Sequence, residues 1–389
     1  MQKNPILRTI CALICCAFMS CLLCLPGEAL VLNVTPTVPV NAGSAVLIEA
    51  GSGRVLYEQH AHTRMPMAST TKIMTALVVL EQCDLQASVC IDERAVGTEG
   101  SSVYLYPGEL LTIEQLLYAL MLSSANDAAA ALAYEVSGSI EGFAALMNQK
   151  ATELGLLNTH FANPHGLDAA GHYTTAYDLA CIASYALENE DFLRIVSTQK
   201  KVIPLREQEG ARVLRNHNKL LASYQGCIGV KTGFTKKSGR CLVSAAERDG
   251  VRLVCVTLDC PDDWRVHTDL LDRGFASVER TLLAKADAFV TSLPVVGGIG
   301  QEVYLHTADS VSVTLPKERA KISCYIRAEH FLYAPVQAGA YVGEAVWILD
   351  GKEIARAPLY AAYEVPKAVI KRTPLDRLLA LLNKLKELL

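Results

Sequence analysis

The sequence predicts an α+β fold: an antiparallel sheet flanked by helices, with an inserted helical subdomain. A small all-β sandwich domain and a C-terminal amphipathic helix follow it. Three observations predict this. Residues 44–58 form two β-rich runs around a Gly-Ser-Gly turn, and residues 227–258 form three more in quick succession. Between them, about 112–187, helical spacing dominates. A sheet must bury its apolar face, and these helices are the available cover. A cleft is expected between the sheet and the helical part.

The first residues, M-Q-K-N-P-I-L-R, are basic and lead into an apolar run that stops at Pro26. The small-residue site Gly27-Glu28-Ala29 then predicts a secretory signal over residues 1–29. A retained membrane anchor is the alternative, and either puts the remainder outside the cytoplasm. The chain has 389 residues, 51% hydrophobic and 20% charged, which is enough for two domains or more. A net charge of −4 offers no basic excess for nucleic acid. Of the 13 cysteines, those beyond the leader show no CxxC pair and no zinc-type spacing, so no metal is expected. Cys83 and Cys90 bracket a short polar loop and could bridge. Cys181 sits in an apolar helical run and reads as core filler.

After the first hairpin, K-I-M-T-A-L-V-V-L predicts a helix from Lys72 to Leu80. I-E-Q-L-L-Y-A-L-M-L and D-A-A-A-A-L-A-Y-E-V are the clearest helices of the middle block. The runs C-I-G-V-K-T-G, G-R-C-L-V-S-A-A and V-R-L-V-C-V-T-L, joined by turn-like links, read as a meander. Residues 262–283 return to helical spacing. From 284 to 366 short β-rich runs recur, such as V-S-V-T-L, K-I-S-C-Y-I and E-A-V-W-I-L. The tail, 367–389, has Thr373 as N-cap, Pro374 at the first helical position and a stripe of Leu375, Leu378, Leu379, Leu382, Leu385 and Leu389. Arg377, Lys384 and Lys386 supply positive charge. At ~1.5 Å per residue such a helix is too short to cross a bilayer. It suits the membrane interface beside anionic lipid. Docking on the protein, or on another copy, is the alternative.

Three short segments carry the chemistry. Ser69 stands three residues before Lys72, so both face the same side of a helix. A serine hydroxyl is a weak nucleophile until a base takes its proton. Lysine is such a base only when neutral, and burial or a second cation pushes it that way. The plain alternative makes Ser69 an N-cap and Lys72 a solvated first-turn residue. Ser124-Ala125-Asn126 stands between two helical runs, at a junction that could border the cleft. Lys231-Thr232-Gly233 lies on a predicted strand, where Gly233 permits close backbone approach and Lys231 offers a charge to a carboxylate. Singly these are weak signals. Their order, S-x-x-K then S-x-N then K-T-G, is specific.

In that order they resemble the motifs of penicillin-recognising active-site serine enzymes. More closely, the chain resembles the low-molecular-mass serine D-alanyl-D-alanine carboxypeptidases, of Gram-positive, sporulation type. F-A-N-P-H-G-L-D at 161–168, H-Y-T-T-A-Y-D-L-A at 172–180 and A-P-V-Q-A-G-A-Y-V-G at 334–343 also match. The resemblance implies a β-lactamase/transpeptidase-like catalytic domain over 30–283, acting on peptidoglycan stem peptides and acylated by β-lactams, with no cofactor. It implies Ser69 as nucleophile, Lys72 as general base and Ser124 as proton relay to the leaving amine. Asn126 would hold the substrate peptide, and Lys231 and Thr232 its terminal carboxylate. The backbone N–H groups of Ser69 and Phe234 would form the oxyanion hole. Gly233, Thr235 and His217 complete the implied contacts. This chemistry requires no histidine, so His165, His172 and His217 read as bystanders to the reaction step. Asp127, Asp168 and Asp178 read as braces. Two other functions fit parts of the pattern. A β-lactamase needs a base that hydrolyses the penicilloyl ester quickly, and F-A-N-P-H-G-L-D offers no glutamate for it. A non-catalytic wall-binding protein would leave three intact motifs unexplained.

Overall fold

The computed structural model describes residues 39–205 and 210–369. The predicted leader, and the predicted terminal helix from 370 on, lie outside the described residues. The chain divides into two compact units that meet between Ser277 and Val278.

In the first unit β1 (Ser44–Glu49) and β2 (Val55–Gln59) form the expected hairpin. A 3-10 turn, Ala68–Thr71, leads into α1 (Lys72–Gln82). Next come β3 (Ser88–Cys90) and β4 (Leu110–Thr112), a short antiparallel pair that sequence patterning does not reveal. α2 (Ile113–Leu122) starts at a capping box between Thr112 and Gln115. α3 (Asn126–Ser137) ends on Gly138 in the left-handed conformation. α4 (Ile140–Glu153), α5 (Ala176–Ala186) and α6 (Glu190–Ser197) start at Ser139, Thr175 and Asn189, whose side chains accept from first-turn N–H groups. β5 (Lys200–Leu205) pairs with β6 (Gly210–Arg215), and the short α7 (Leu220–Ser223) follows. The meander is β7 (Cys227–Thr235), β8 (Gly239–Arg248) and β9 (Val251–Leu258). α8 (Asp263–Ser277) closes the unit. The helical spacing expected to 283 stops at Ser277, because Val278–Ala284 is a strand paired with Val311–Pro316.

The main sheet has the order β2-β1-β9-β8-β7, antiparallel throughout. β1 and β9 are buried on both faces, and their side chains alternate between two layers. Val46, Ile48, Val254 and Val256 join the core shared with α1 to α6. Leu47 and Leu253 lie against Gly274 of α8, where a Cβ would come within 2.7 Å of either. β7 ends the sheet, and the 3-10 turn bearing Ser69 packs beside it.

The described residues of the second unit are all β, as the spacing of 284–366 predicts. β10 (Val278–Ala284) pairs with β13 (Val311–Pro316). A second sheet has the order β14-β16-β17-β12-β11-β15. Its strands are β11 (Phe289–Val296), β12 (Glu302–His306), β14 (Ser323–Ala328), β15 (Leu332–Tyr333), β16 (Tyr341–Leu349) and β17 (Lys352–Ala361). Val303, Leu305, Trp347 and Leu359 centre its core. Cys83 and Cys90 are free thiols, so the bridge their spacing allowed is not made. Among the described residues no helix is long and apolar enough to cross a membrane.

Candidate active site

The turn carrying Ser69 is built by its own threonines. Thr70 Oγ1 donates to the Met67 carbonyl at 2.6 Å and Thr71 Oγ1 to the Ala68 carbonyl at 2.8 Å. Such back-bonding tightens the backbone ahead of the helix. Thr71, not Ser69, is the N-cap of α1. Ser69 Oγ stays available, and Lys72 opens the helix on the same side.

Lys72 is fully buried. Its Nζ lies 3.0 Å from Ser69 Oγ, 2.7 Å from Asn126 Oδ1 and 2.6 Å from the His165 carbonyl oxygen. Burial, then the charge of Lys231, holds its pKa well below the usual 10.5, against a smaller opposing pull from Asp127. A neutral amine has two N–H bonds and one lone pair. Asn126 Oδ1 and the His165 carbonyl can only accept, so they take the two N–H bonds. The lone pair is left facing the Ser69 hydroxyl, which can donate into it. Three neighbours therefore fit a deprotonated lysine aimed at the serine.

Asn126 is fixed from the other side. Its backbone N–H donates to the Ser101 carbonyl at 2.7 Å and its Nδ2 to the Glu99 carbonyl at 2.5 Å, which settles the amide orientation. Asp127, fully buried, accepts from Ser102 Oγ at 2.6 Å and from the Leu105 N–H at 3.1 Å. It thus braces the 99–105 segment as well as its own helix. Ser124, just before α3, has φ of +58° and is 5% exposed. A non-glycine residue in the left-handed region stores strain that functional positions often hold.

The F-A-N-P-H-G-L-D segment lies against α1. Thr75 Oγ1 donates to the Pro164 carbonyl at 2.6 Å, and the Gly166 N–H donates to Asn163 Oδ1 at 2.7 Å. This delivers the His165 carbonyl to Lys72. His172 is a structural partner. Its Nδ1 accepts from the Ala162 N–H at 3.0 Å, so Nε2 carries the proton towards Thr71 Oγ1, 2.8 Å away. Burial lowers its pKa to about 4, and this neutral form is the one the contacts need.

Strand β7 forms the opposite wall. Gly233 faces the serine turn so closely that a Cβ there would lie 3.0 Å from Ser69 N and 3.1 Å from Thr70 N. Lys231 is 2% exposed, and its Nζ donates to the Thr232 carbonyl at 2.8 Å. Burial pushes its pKa down to about 7. A cleft of about 370 Å³ opens between these walls, lined by Ser69, Ser124, His217, Thr232, Gly233 and Phe234. Asn126 and Lys231 stand behind the lining. Thr235 is turned away, donating to Asp168 Oδ1 at 3.1 Å.

Patterning missed part of this cleft. Ser101, Lys219, Arg240, Asp263 and Trp264 also line it. None belongs to a short motif. The His165 carbonyl was equally invisible, since a backbone acceptor has no side-chain signature.

Residues 32–262 match the D-alanyl-D-alanine carboxypeptidase family, and residues 279–367 match the C-terminal domain of penicillin-binding protein 5. The chain is 35% identical to the D-alanyl-D-alanine carboxypeptidase DacF of Bacillus subtilis, over 86% of this chain and 89% of that one. It is 32% identical to DacA of Escherichia coli, over 91% of each. Penicillin-binding protein 5 from Haemophilus influenzae superposes with a TM-score of 0.69 at 29% identity, covering 86% of this chain and all of that one. The Streptomyces K15 DD-transpeptidase superposes with a TM-score of 0.59 at 36% identity, covering 62% of this chain and 99% of that one.

Proposed function

Because the chain belongs to the D-alanyl-D-alanine carboxypeptidase family of serine peptidases, we propose that its reaction runs through an acyl-enzyme on Ser69, with Lys72 as the base. The activity removes the terminal D-alanine from peptidoglycan stem peptides, and the enzyme binds penicillin. One observation supports the assignment of roles best: the buried Lys72 Nζ has acceptors at 2.7 and 2.6 Å and the Ser69 hydroxyl at 3.0 Å.

In the first step Lys72 takes the Ser69 proton as Oγ attacks the carbonyl of the penultimate D-alanine. The oxygen that becomes negative is received by the Ser69 and Phe234 N–H groups. Ser124 passes a proton to the leaving amine, and D-alanine departs. Water then attacks the ester, and the base works in reverse. Thr232 and Lys231 hold the terminal carboxylate, and Asn126 holds both the substrate peptide and Lys72. His217 and Thr235 are assigned to the outer part of the substrate path. A β-lactam presents a strained amide and a carboxylate to the same groups.

Labelled penicillin tests this directly. The intact protein gains one adduct, mapped to the peptide bearing Ser69, and Ser69→Ala gains none. Label that persists on Ser69→Ala overturns the assignment. Adduct lifetime separates the reading from a β-lactamase, since a carboxypeptidase holds the penicilloyl ester for minutes or longer. Release of D-alanine from a pentapeptide separates it from a wall-binding protein without activity.

Catalysis is assigned to the unit that ends at Ser277, not at 283, and the β unit from Val278 is proposed to hold the cleft at wall height. The leader over 1–29 would deliver the protein across the cytoplasmic membrane. The leucine stripe and cations of 367–389 would attach it to the outer face. Removing residues 367–389 is expected to move the protein from the membrane fraction to the soluble fraction with D-alanine release intact.

A further inference from the structure

Lys231 is an incomplete anion site. It is buried, its Nζ already donates to the Thr232 carbonyl at 2.8 Å, and with its pKa near 7 it is only partly charged in neutral solution. A substrate that ends in a carboxylate needs a positive group that stays charged and faces the cleft. Two basic side chains line the cleft, Arg240 and Lys219. Of these, Arg240 is the one whose side chain has hydrogen-bond partners among the described residues.

Arg240 is the second residue of β8 and is paired in register with Phe234, so it stands beside the Thr232-Gly233-Phe234 edge. Its Nε donates to Asp263 Oδ2 at 3.1 Å and its Nη2 to Asp263 Oδ1 at 2.9 Å. Asp263, 3% exposed at its side chain, is anchored at the start of α8 and also accepts the Trp264 N–H at 2.9 Å. The guanidinium carbon lies 5.8 Å from the Trp264 ring centroid. Two of the guanidinium nitrogens are thus spent on orientation. Nη1, with two N–H bonds, makes no hydrogen bond to any described residue. The Arg240 side chain keeps 42% exposure.

From this we infer that Arg240, aimed by Asp263, is the specificity-determining contact for the carboxylate of the leaving group, with Nη1 as the donor. Arginine brings planar donors and a charge that survives at any working pH. Lys231 then supplies field from behind, and Arg240 supplies the directional bond in front. Asp263 is a positioning residue, acting only through Arg240.

This inference rests on the acyl-enzyme reading above, and its test separates the two. Two acyl-D-alanyl thioesters are compared on the full chain: one whose leaving thiol bears a carboxylate, and its methyl ester. Wild-type kcat/KM is expected to favour the carboxylate donor by tenfold or more. Arg240→Gln is expected to lower the carboxylate donor roughly 10- to 100-fold, the worth of a hydrogen bond to a charged group, and the ester less than twofold. Arg240→Lys recovers part of the loss, and Asp263→Asn falls between. An equal fall for both donors, or none for either, overturns the inference. Turnover of either donor by Ser69→Ala overturns the acyl-enzyme reading instead. If Arg240→Gln does not fold, the wild-type ratio between donors decides. It stays high from pH 7 to 9 if Arg240 anchors the carboxylate, and collapses if Lys231 alone does.

Discussion

Gly166 lies directly against Ala68: a Cβ built on Gly166 would stand 2.0 Å from the Ala68 carbonyl oxygen, at a backbone φ of +91°. The contact lets the loop drop far enough for the His165 carbonyl to reach Lys72. Gly166→Ala therefore meets a hard clash in an unfavourable conformation. It is expected to lower stability by more than about 2 kcal/mol and to slow penicillin acylation sharply. Gly155→Ala is the control, since Gly155 has φ of +72° with nothing within 4 Å. It should lose about 1 kcal/mol and no acylation rate. Chemical unfolding and acylation kinetics on the two variants check this.

Lys72→Met should separate stability from activity. The substitution removes an amine whose charged form burial and Lys231 disfavour, and it fills the same space with an apolar chain. Acylation is expected to fall about 10²- to 10⁴-fold, the usual worth of a general base. The melting temperature is expected to hold or rise. A variant that melts earlier and keeps its acylation rate would contradict both halves.

The pH dependence follows from two lysines with opposite duties. Lys72 must be neutral, so acylation is lost as pH falls through its lowered folded pKa. Lys231 loses its charge as pH rises through about 7, so the field it adds behind the carboxylate fades there while the Arg240 bond persists. The profile of kcat/KM rises steeply on its acid side and falls only in part on its alkaline side. Stability runs the other way on its alkaline side. Between about 7 and the unfolded lysine value of 10.5, the unfolded chain holds a proton on Lys231 that the folded chain does not. That window adds stability as pH rises. Rate and unfolding free energy measured from pH 6 to 10 should diverge.

Arg212 and Glu109 form a buried pair, with side chains 8% and 2% exposed. Arg212 Nε also donates to the Val103 carbonyl at 2.8 Å and Nη2 to the Tyr104 carbonyl at 3.0 Å, tying β6 to the segment that fixes Asn126. Arg212→Met takes the buried Glu109 carboxylate's cationic partner away, leaving the Tyr106 N–H at 3.2 Å, and should lose about 3–5 kcal/mol. The double variant Arg212→Met, Glu109→Leu should recover most of that. A double-mutant cycle by urea unfolding measures the difference.

The sequence made the machinery legible where side chains repeat at fixed spacing. Ser69 and Lys72 meet because three residues is close to one helical turn, and the meander shows itself in three β-rich runs. Contacts made by backbone or by distant elements leave no such trace. The His165 carbonyl, the Ser101 carbonyl and the Arg240–Asp263 pair all arise from packing between segments far apart in the chain. The overrun of the last helix has a local cause. Val278-Glu279-Arg280-Thr281-Leu282-Leu283 suits a helix as well as a strand, and pairing with β13 decides it. Cys83 and Cys90 show the limit of spacing, since proximity in sequence did not produce a bond.

β7 terminates its sheet, so among the described residues one row of its amide and carbonyl groups has no neighbouring strand. An unfinished border is a hazard in a crowded solution, because borders of separate molecules can zip together. Colloidal behaviour is therefore tied to occupancy: a sample with its serine blocked by a bulky acyl group should stay clear on heating longer than an unblocked one.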